Sequence, residues 1–217
     1  MTKQGDTVRA HCNRCLGERK HVVIASRFQE YVEVDEHDTF VLAEKTTFEM
    51  LECCGCEDVV FRRTLAASYE AHEIVDYYPP SVSRRKPEWL RGITRVPFKL
   101  GFLIGEVYAA IYAKSRRLAM MGARTMLDMV LVDTVGDEGT FEQKLDSLVT
   151  EGFVSARHRK TLEAALEAGH ATSHRGHSPS EIEVNQAMDI IENLIQAVYV
   201  LGGAAESLKE ATPPRPP

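Results

Sequence analysis

Two Cys-x-x-Cys units constrain this 217-residue chain more than any other feature in it. Cys12-Asn-Arg-Cys15 and Cys53-Cys54-Gly55-Cys56 lie 37 residues apart. Two residues between a pair of thiolates let the backbone turn so that both sulfurs, at about 2.3 Å, meet one Zn²⁺. Gly55 eases that turn in the second unit. Two such turns make a closed S₄ set, with no position left for water or substrate, so the expected metal is structural zinc held by Cys12, Cys15, Cys53 and Cys56. The alternatives are reduced thiols buried in a sheet, or a redox pair. The redox reading lacks the βαβ pattern that surrounds thioredoxin-like motifs. His11 and His21 are substitute ligands of second rank while four cysteines suffice. Cys54 is the odd thiol and is expected to point away.

All five cysteines precede residue 57, and charge is just as unevenly placed. Residues 1–81 carry a formal charge of −6, residues 82–117 carry +7, and residues 118–217 carry −7. The total of −6 excludes a strongly basic nucleic-acid binder at whole-chain level and leaves a local basic patch open. Arg84, Arg85, Lys86, Arg91 and Arg95 head that patch, with Lys99, Arg116 and Arg117 beyond them. Trp89 and Tyr77-Tyr78 nearby suggest phosphate contact with base stacking to RNA or DNA. The plainer reading is a solvated surface that pairs with the acidic parts.

The first part reads as strands. His21–Ala25, Phe28–Val34, Thr47–Leu51 and Val59–Leu65 are short runs rich in Val, Phe and Thr with polar breaks between them. They predict an antiparallel sheet of about three or four strands, with Phe28, Tyr31 or Val32, and Val34 facing inward. Tyr77-Tyr78-Pro79-Pro80 and the prolines at 87 and 97 mark a connector that packs through Trp89. Residues 98–211 read as helices. A long apolar stretch over Phe98–Val135 is expected to break near Lys114–Arg117. Thr140-Phe-Glu-Gln143 and Ser180-Glu-Ile-Glu183 have the capping-box form. Between them, Ser155 is expected to cap a helix that Gly169 stops. The last helix carries Ile182, Ala187, Ile190, Ile191, Leu194, Ile195, Val198 and Leu201 on one apolar face. The organisation is therefore α+β: a zinc-binding antiparallel β domain at 1–66, a basic connector at 67–97, an all-α antiparallel bundle at 98–211 and a disordered tail at 212–217.

No run approaches the roughly 18 apolar residues of a membrane helix. The opening residues lack the apolar core of a secretory signal. Both observations lead to the expectation of a cytoplasmic protein with reduced thiols and no membrane partner.

Four of the eight histidines fall between 158 and 177. His170, His174, Arg175 and His177 are candidate catalytic residues, since imidazoles beside a cation suit acid–base chemistry on a phosphodiester. A metal on three histidines is another possibility. Histidines that satisfy carbonyls at a helix C-terminus are the structural alternative.

Leu118 to about Leu201 resembles a bacterial domain of uncharacterised role found beside restriction enzymes and in stand-alone proteins, grouped with the HEPN superfamily of helical bundles. Ala123-Arg124 with Leu127, Thr140–Leu145, Glu151-Gly152-Phe153, the Gly-His-x-x-x-His-x-Gly run at 169–176 and Ser178-Pro-Ser180 carry the resemblance. It implies an antiparallel bundle, often a homodimer. The N-terminal part looks like the zinc-ribbon accessory seen on such proteins. Ribonucleases of the superfamily use an Arg, four to six residues, then a His. No histidine after residue 100 has an Arg at that spacing, so the nuclease signature is missing. The expectation is a zinc-binding accessory protein acting without catalysis in bacterial nucleic-acid metabolism or phage defence. A ribonuclease or nucleotide-modifying enzyme with a variant His/Arg cluster is the alternative.

Overall fold

A computed structural model describes residues 3–34, 40–90 and 95–213, with backbone alone for Phe40 and Val41. Within them the chain forms an antiparallel β unit followed by a helical unit, an α+β organisation, with the division between Ser83 and Arg84.

The β unit is a five-stranded meander in the order β1 (Thr7–Cys12), β2 (Gly17–Val34), β3 (Phe40–Cys53), β4 (Val59–Ala67) and β5 (Ile74–Tyr78). Every neighbour pairs antiparallel. This is one strand more than the short apolar runs suggest, because Ile74–Tyr78, placed by its prolines in the connector, pairs with β4. One face gathers Ala10, Val23, Leu51 and Val60, the buried apolar core of the sheet, with Val8 and Tyr77 packed against it. Glu49 is buried on this face too and pairs with Arg62 at 2.6 Å.

Strand β2 is far longer than β1. β1 covers it from Gly17 to Val22, and the segment before β1 bonds Val23. Beyond that point β2 runs on with β3 alone. In this stretch Phe28, Tyr31, Val32 and Val34 are 49%, 56%, 59% and 51% exposed. The inward positions expected from their alternation are corrected here: alternation shows that a strand has two faces, not that either is covered.

The helical unit contains α1 (Phe98–Tyr112), α2 (Arg116–Val135), α3 (Phe141–Thr150), α4 (Ala156–His174) and α5 (Glu181–Gln196). A π-turn at Ala197–Leu201 and α6 (Gly202–Ala211) continue α5 without leaving helical dihedrals, so the region counts five rods. The chain breaks after α1 at Lys114, whose φ is 56°. Both capping boxes form, with the Thr140 and Ser180 hydroxyls accepting from the N–H groups of Gln143 and Glu183. All five rods contribute to the core, with Met120, Met126, Leu127 and Leu131 of α2, Leu145 and Leu148 of α3, and Met188, Ile191 and Ile195 of α5 fully enclosed. Trp89, in a single 3₁₀ turn at Glu88–Leu90, packs against it as expected.

One helix end differs from the sequence reading. α4 does not stop at Gly169 but continues to His174. Gly169 is buried where α4 passes α2, and a methyl group there would lie 2.6 Å from Cβ of Arg124. The glycine serves close approach between helices, not termination, and its weak propensity is offset by the packing it permits.

Candidate metal centre

β1 and β3 each end on a cysteine, and the turn that follows each brings a second. Cys12 closes β1 and Cys15 lies in the turn to β2; Cys53 closes β3 and Cys56 lies in the turn to β4. In the meander both turns fall at the same end of the sheet. The two turns share a backbone device as well. The residue after the second cysteine has a left-handed φ in both, 51° at Leu16 and 61° at Glu57. Two of the three non-glycine residues with such a φ among those described are these, so the strain is confined to the cysteine turns and the helix break.

The four sulfurs lie within 4.8 Å of one another. Cys12 Sγ is 3.5 Å from Cys56 Sγ, and Cys15 Sγ is 4.0 Å from Cys53 Sγ. A tetrahedron with bonds of about 2.3 Å has edges of about 3.8 Å, so this spacing suits Zn²⁺. None of these cysteines forms a disulfide, and Cys54 is exposed and outside the set, as expected. His11 and His21 are not in the set either. His21 sits opposite Cys53 across the β2–β3 ladder, and its Nδ1 lies 3.1 Å from the Arg19 carbonyl.

The thiols respond to their crowding. Burial raises the Cys12 thiol. For Cys15 a bond with Cys56 lowers the value, but burial and the neighbouring sulfurs outweigh it and the thiol is raised. The backbone of Asp58 lowers Cys56, and burial with the other sulfurs again wins. Burial also opposes the Cys53 thiolate, yet the backbone of Gly55 and Cys56 brings it down to about 7. The cluster thus favours one thiolate and resists more, and a divalent cation at its centre reverses that resistance. Arg14 and Arg19 donate to the carbonyls of Cys56 and Cys15 at 3.3 Å, which places positive charge beside the four sulfurs. Asn13, inside the first turn, donates to the Pro80 carbonyl at 3.0 Å and accepts from the Val82 N–H at 2.8 Å. The first cysteine turn therefore holds the chain where it leaves β5.

The histidines do not converge. His170 and His174 stand side by side on exposed α4, ring centroids 4.7 Å apart. Arg175 is paired to Glu167 on the same surface. His177 Nε2 lies 2.9 Å from Glu183 Oε1, so it belongs to the capping box of α5. None of these four lines the groove of about 690 Å³ formed by the α3–α4 turn, α4 and α5; the histidine there is His158, with Phe153, Leu162, Ile190 and Asn193.

The basic candidates are also dispersed. Arg84 is turned inward, 2.6 Å from Glu192 and 2.7 Å from Asp189. Tyr108 donates to Glu192 at 2.6 Å. Burial opposes the Arg84 charge, but the bonds to Glu192 and Asp189 outweigh it and hold the guanidinium firmly charged. Arg84 is therefore committed to the bundle, contrary to its expected place in an outward phosphate patch. Arg85 and Lys86 are exposed, and Lys86 lies over the Tyr108 ring at 5.4 Å. Arg95 is exposed and reaches Gly203. Arg91 lies outside the described residues. The Arg84–Glu192–Tyr108 cluster escaped sequence reasoning; the available signal was a carboxylate at 192 amid Ile191, Leu194 and Ile195.

A domain of unknown function (DUF4145) is found at residues 105–211, over the helical region. Neither the curated proteins nor the solved structures contain a match to the chain. Among the described residues no helix is long and apolar enough to cross a membrane.

Proposed function

We propose that this protein is a zinc-stapled accessory protein whose HEPN-type helical domain binds rather than cleaves, in bacterial nucleic-acid metabolism or phage defence. The observation that carries the zinc reading is the four-sulfur cluster, closed by two turns of matching backbone geometry with Cys12 and Cys53 fully buried. Zinc there would be held by Cys12, Cys15, Cys53 and Cys56 and would act as a folding crosslink. A core of Ala10, Val23, Leu51 and Val60 is small for five strands, and structural zinc contributes about 10–16 kcal/mol to folding of small domains.

The binding reading is supported by the state of the candidate catalytic groups. Arg175 is paired, His177 is spent on a helix cap, and His170 and His174 are exposed to solvent. General acid–base catalysis needs such groups directed at one reacting atom. The experiment is incubation of single-stranded RNA with the zinc-loaded protein and with His174→Ala. No cleavage by either is expected. Metal-independent cleavage that the substitution abolishes would establish the enzyme instead.

A further inference from the structure

We infer that a cationic pocket at the break between α1 and α2 binds a backbone phosphate of a single-stranded nucleic acid. The pocket is a concavity of about 270 Å³ lined by Lys114, Ser115, Arg116, Arg117, Leu118 and Ser178. Lys114, with its left-handed φ, follows α1, and α2 begins two residues later at Arg116. The break therefore sets three cations within four positions around one hollow. Ser178 reaches the same hollow from the loop between α4 and α5, so packing of the bundle completes what the break begins.

The charge of this hollow is uncompensated. Lys114, Arg116 and Arg117 are exposed, and among the described residues none of them forms an ion pair. No carboxylate lines the pocket. Acids are not scarce: residues 118–217 carry −7, and Arg84, Lys144, Arg159 and Arg175 of the same unit each hold a carboxylate. Neighbouring cations without a counter-charge repel one another, and an anion seated among them removes that cost. The hydroxyls of Ser115 and Ser178 also have no hydrogen-bond partner among the described residues, which leaves them free to donate to phosphate oxygens. The three side-chain cations supply the charge, and the positive end of the α2 dipole adds to it.

Size and surroundings select the occupant. Pockets that enclose a whole small molecule measure about 300–1,000 Å³, so this smaller hollow suits one group of a longer ligand. Leu118 is 63% exposed and Met121, one turn further along α2, is 41% exposed. An apolar patch therefore adjoins the cations. A single strand offers a phosphate for the cations and an unstacked base for the patch, whereas a duplex keeps its base faces stacked. The choice of occupant rests on the nucleic-acid reading above; the pocket and its charge do not.

The test is fluorescence anisotropy of a short labelled oligouridine titrated with the full zinc-loaded chain over a range of salt. Three phosphate contacts to a single strand make log Kd rise with log salt at a slope of about 2. Arg116→Gln and Arg117→Gln, both at exposed positions, should each lower that slope by about 0.7 and weaken low-salt binding about threefold. Their circular dichroism should be unchanged. Lys160→Gln, also exposed but outside the pocket, should bind as wild type does. A strand of the same sequence with an uncharged methylphosphonate backbone should fail to compete, and a duplex should compete less well than the single strand. Arginine variants that bind like wild type overturn the pocket and leave the nucleic-acid reading standing. A wild type that binds no strand overturns both. A duplex that binds more tightly through the same arginines, or a methylphosphonate strand that competes fully, overturns the assignment of the occupant.

Discussion

Replacing Glu192 by Leu removes the acceptor shared by the most enclosed polar groups of the bundle. Its side chain is 8% exposed and that of Arg84 14%. The substitution leaves the guanidinium with Asp189, at a position 68% exposed, and the Asn185 carbonyl at 3.3 Å, and leaves Tyr108 with only a 3.3 Å approach to the Arg85 carbonyl. Stranding one member of a buried ion pair costs about 3–5 kcal/mol. Because Asp189 retains part of the interaction, the expected loss is at the lower end, about 3 kcal/mol. For a chain of this size each kcal/mol moves the midpoint by about 3 °C, so thermal unfolding followed by the helical circular dichroism signal should fall by about 9 °C. Arg84→Met should cost a similar amount by stranding Glu192. Removing both together should cost much less than the two losses added, since an apolar pair leaves no charge buried. Singles whose losses simply add, or a Glu192→Leu protein within about 1 kcal/mol of wild type, would refute the reasoning.

Glu183 gives a pH-dependent prediction. The backbone and hydroxyl of Ser180, then His177, hold its carboxyl at about 2 instead of 4.5. A depressed carboxylate stabilises the fold above its ordinary value and loses that contribution as pH falls toward the folded one. The stability difference between wild type and Glu183→Gln, measured by urea unfolding, should therefore shrink between pH 4.5 and about 2; a difference independent of pH contradicts the assignment. Gly169→Ala should destabilise the bundle by about 1–2 kcal/mol despite alanine's better helix propensity, because the added methyl meets Arg124 Cβ. A stabilised variant in the same unfolding assay would show that α2 and α4 yield freely.

What the sequence made legible was local. A thiol pair two residues apart and a Thr or Ser three residues before Gln or Glu are decided within a turn of chain, and the break expected near Lys114–Arg117 is local too. The structure has the cysteine turns, both capping boxes and the break at Lys114 where those patterns put them. What escaped was decided across the chain. Arg84 and Glu192 are 108 positions apart, and nothing beside Arg84 distinguishes a buried cation from an exposed one. Gly169 looks like a stop signal until α2 is laid against it. Phe28, Val32 and Val34 alternate as a half-buried strand does, and only their exposure in the folded chain shows that nothing packs on them. Position 183 lay between these cases: its cap was readable, but its link to His177 depended on how the chain turns between α4 and α5.

The central claim is that Cys12, Cys15, Cys53 and Cys56 hold one metal ion, and metal analysis of the purified chain tests it most directly. About one zinc per chain is predicted for wild type and for Cys54→Ser, with loss of the bound metal in Cys53→Ser. A zinc-free folded protein, or zinc retained at full stoichiometry by Cys53→Ser, would contradict the four-cysteine centre.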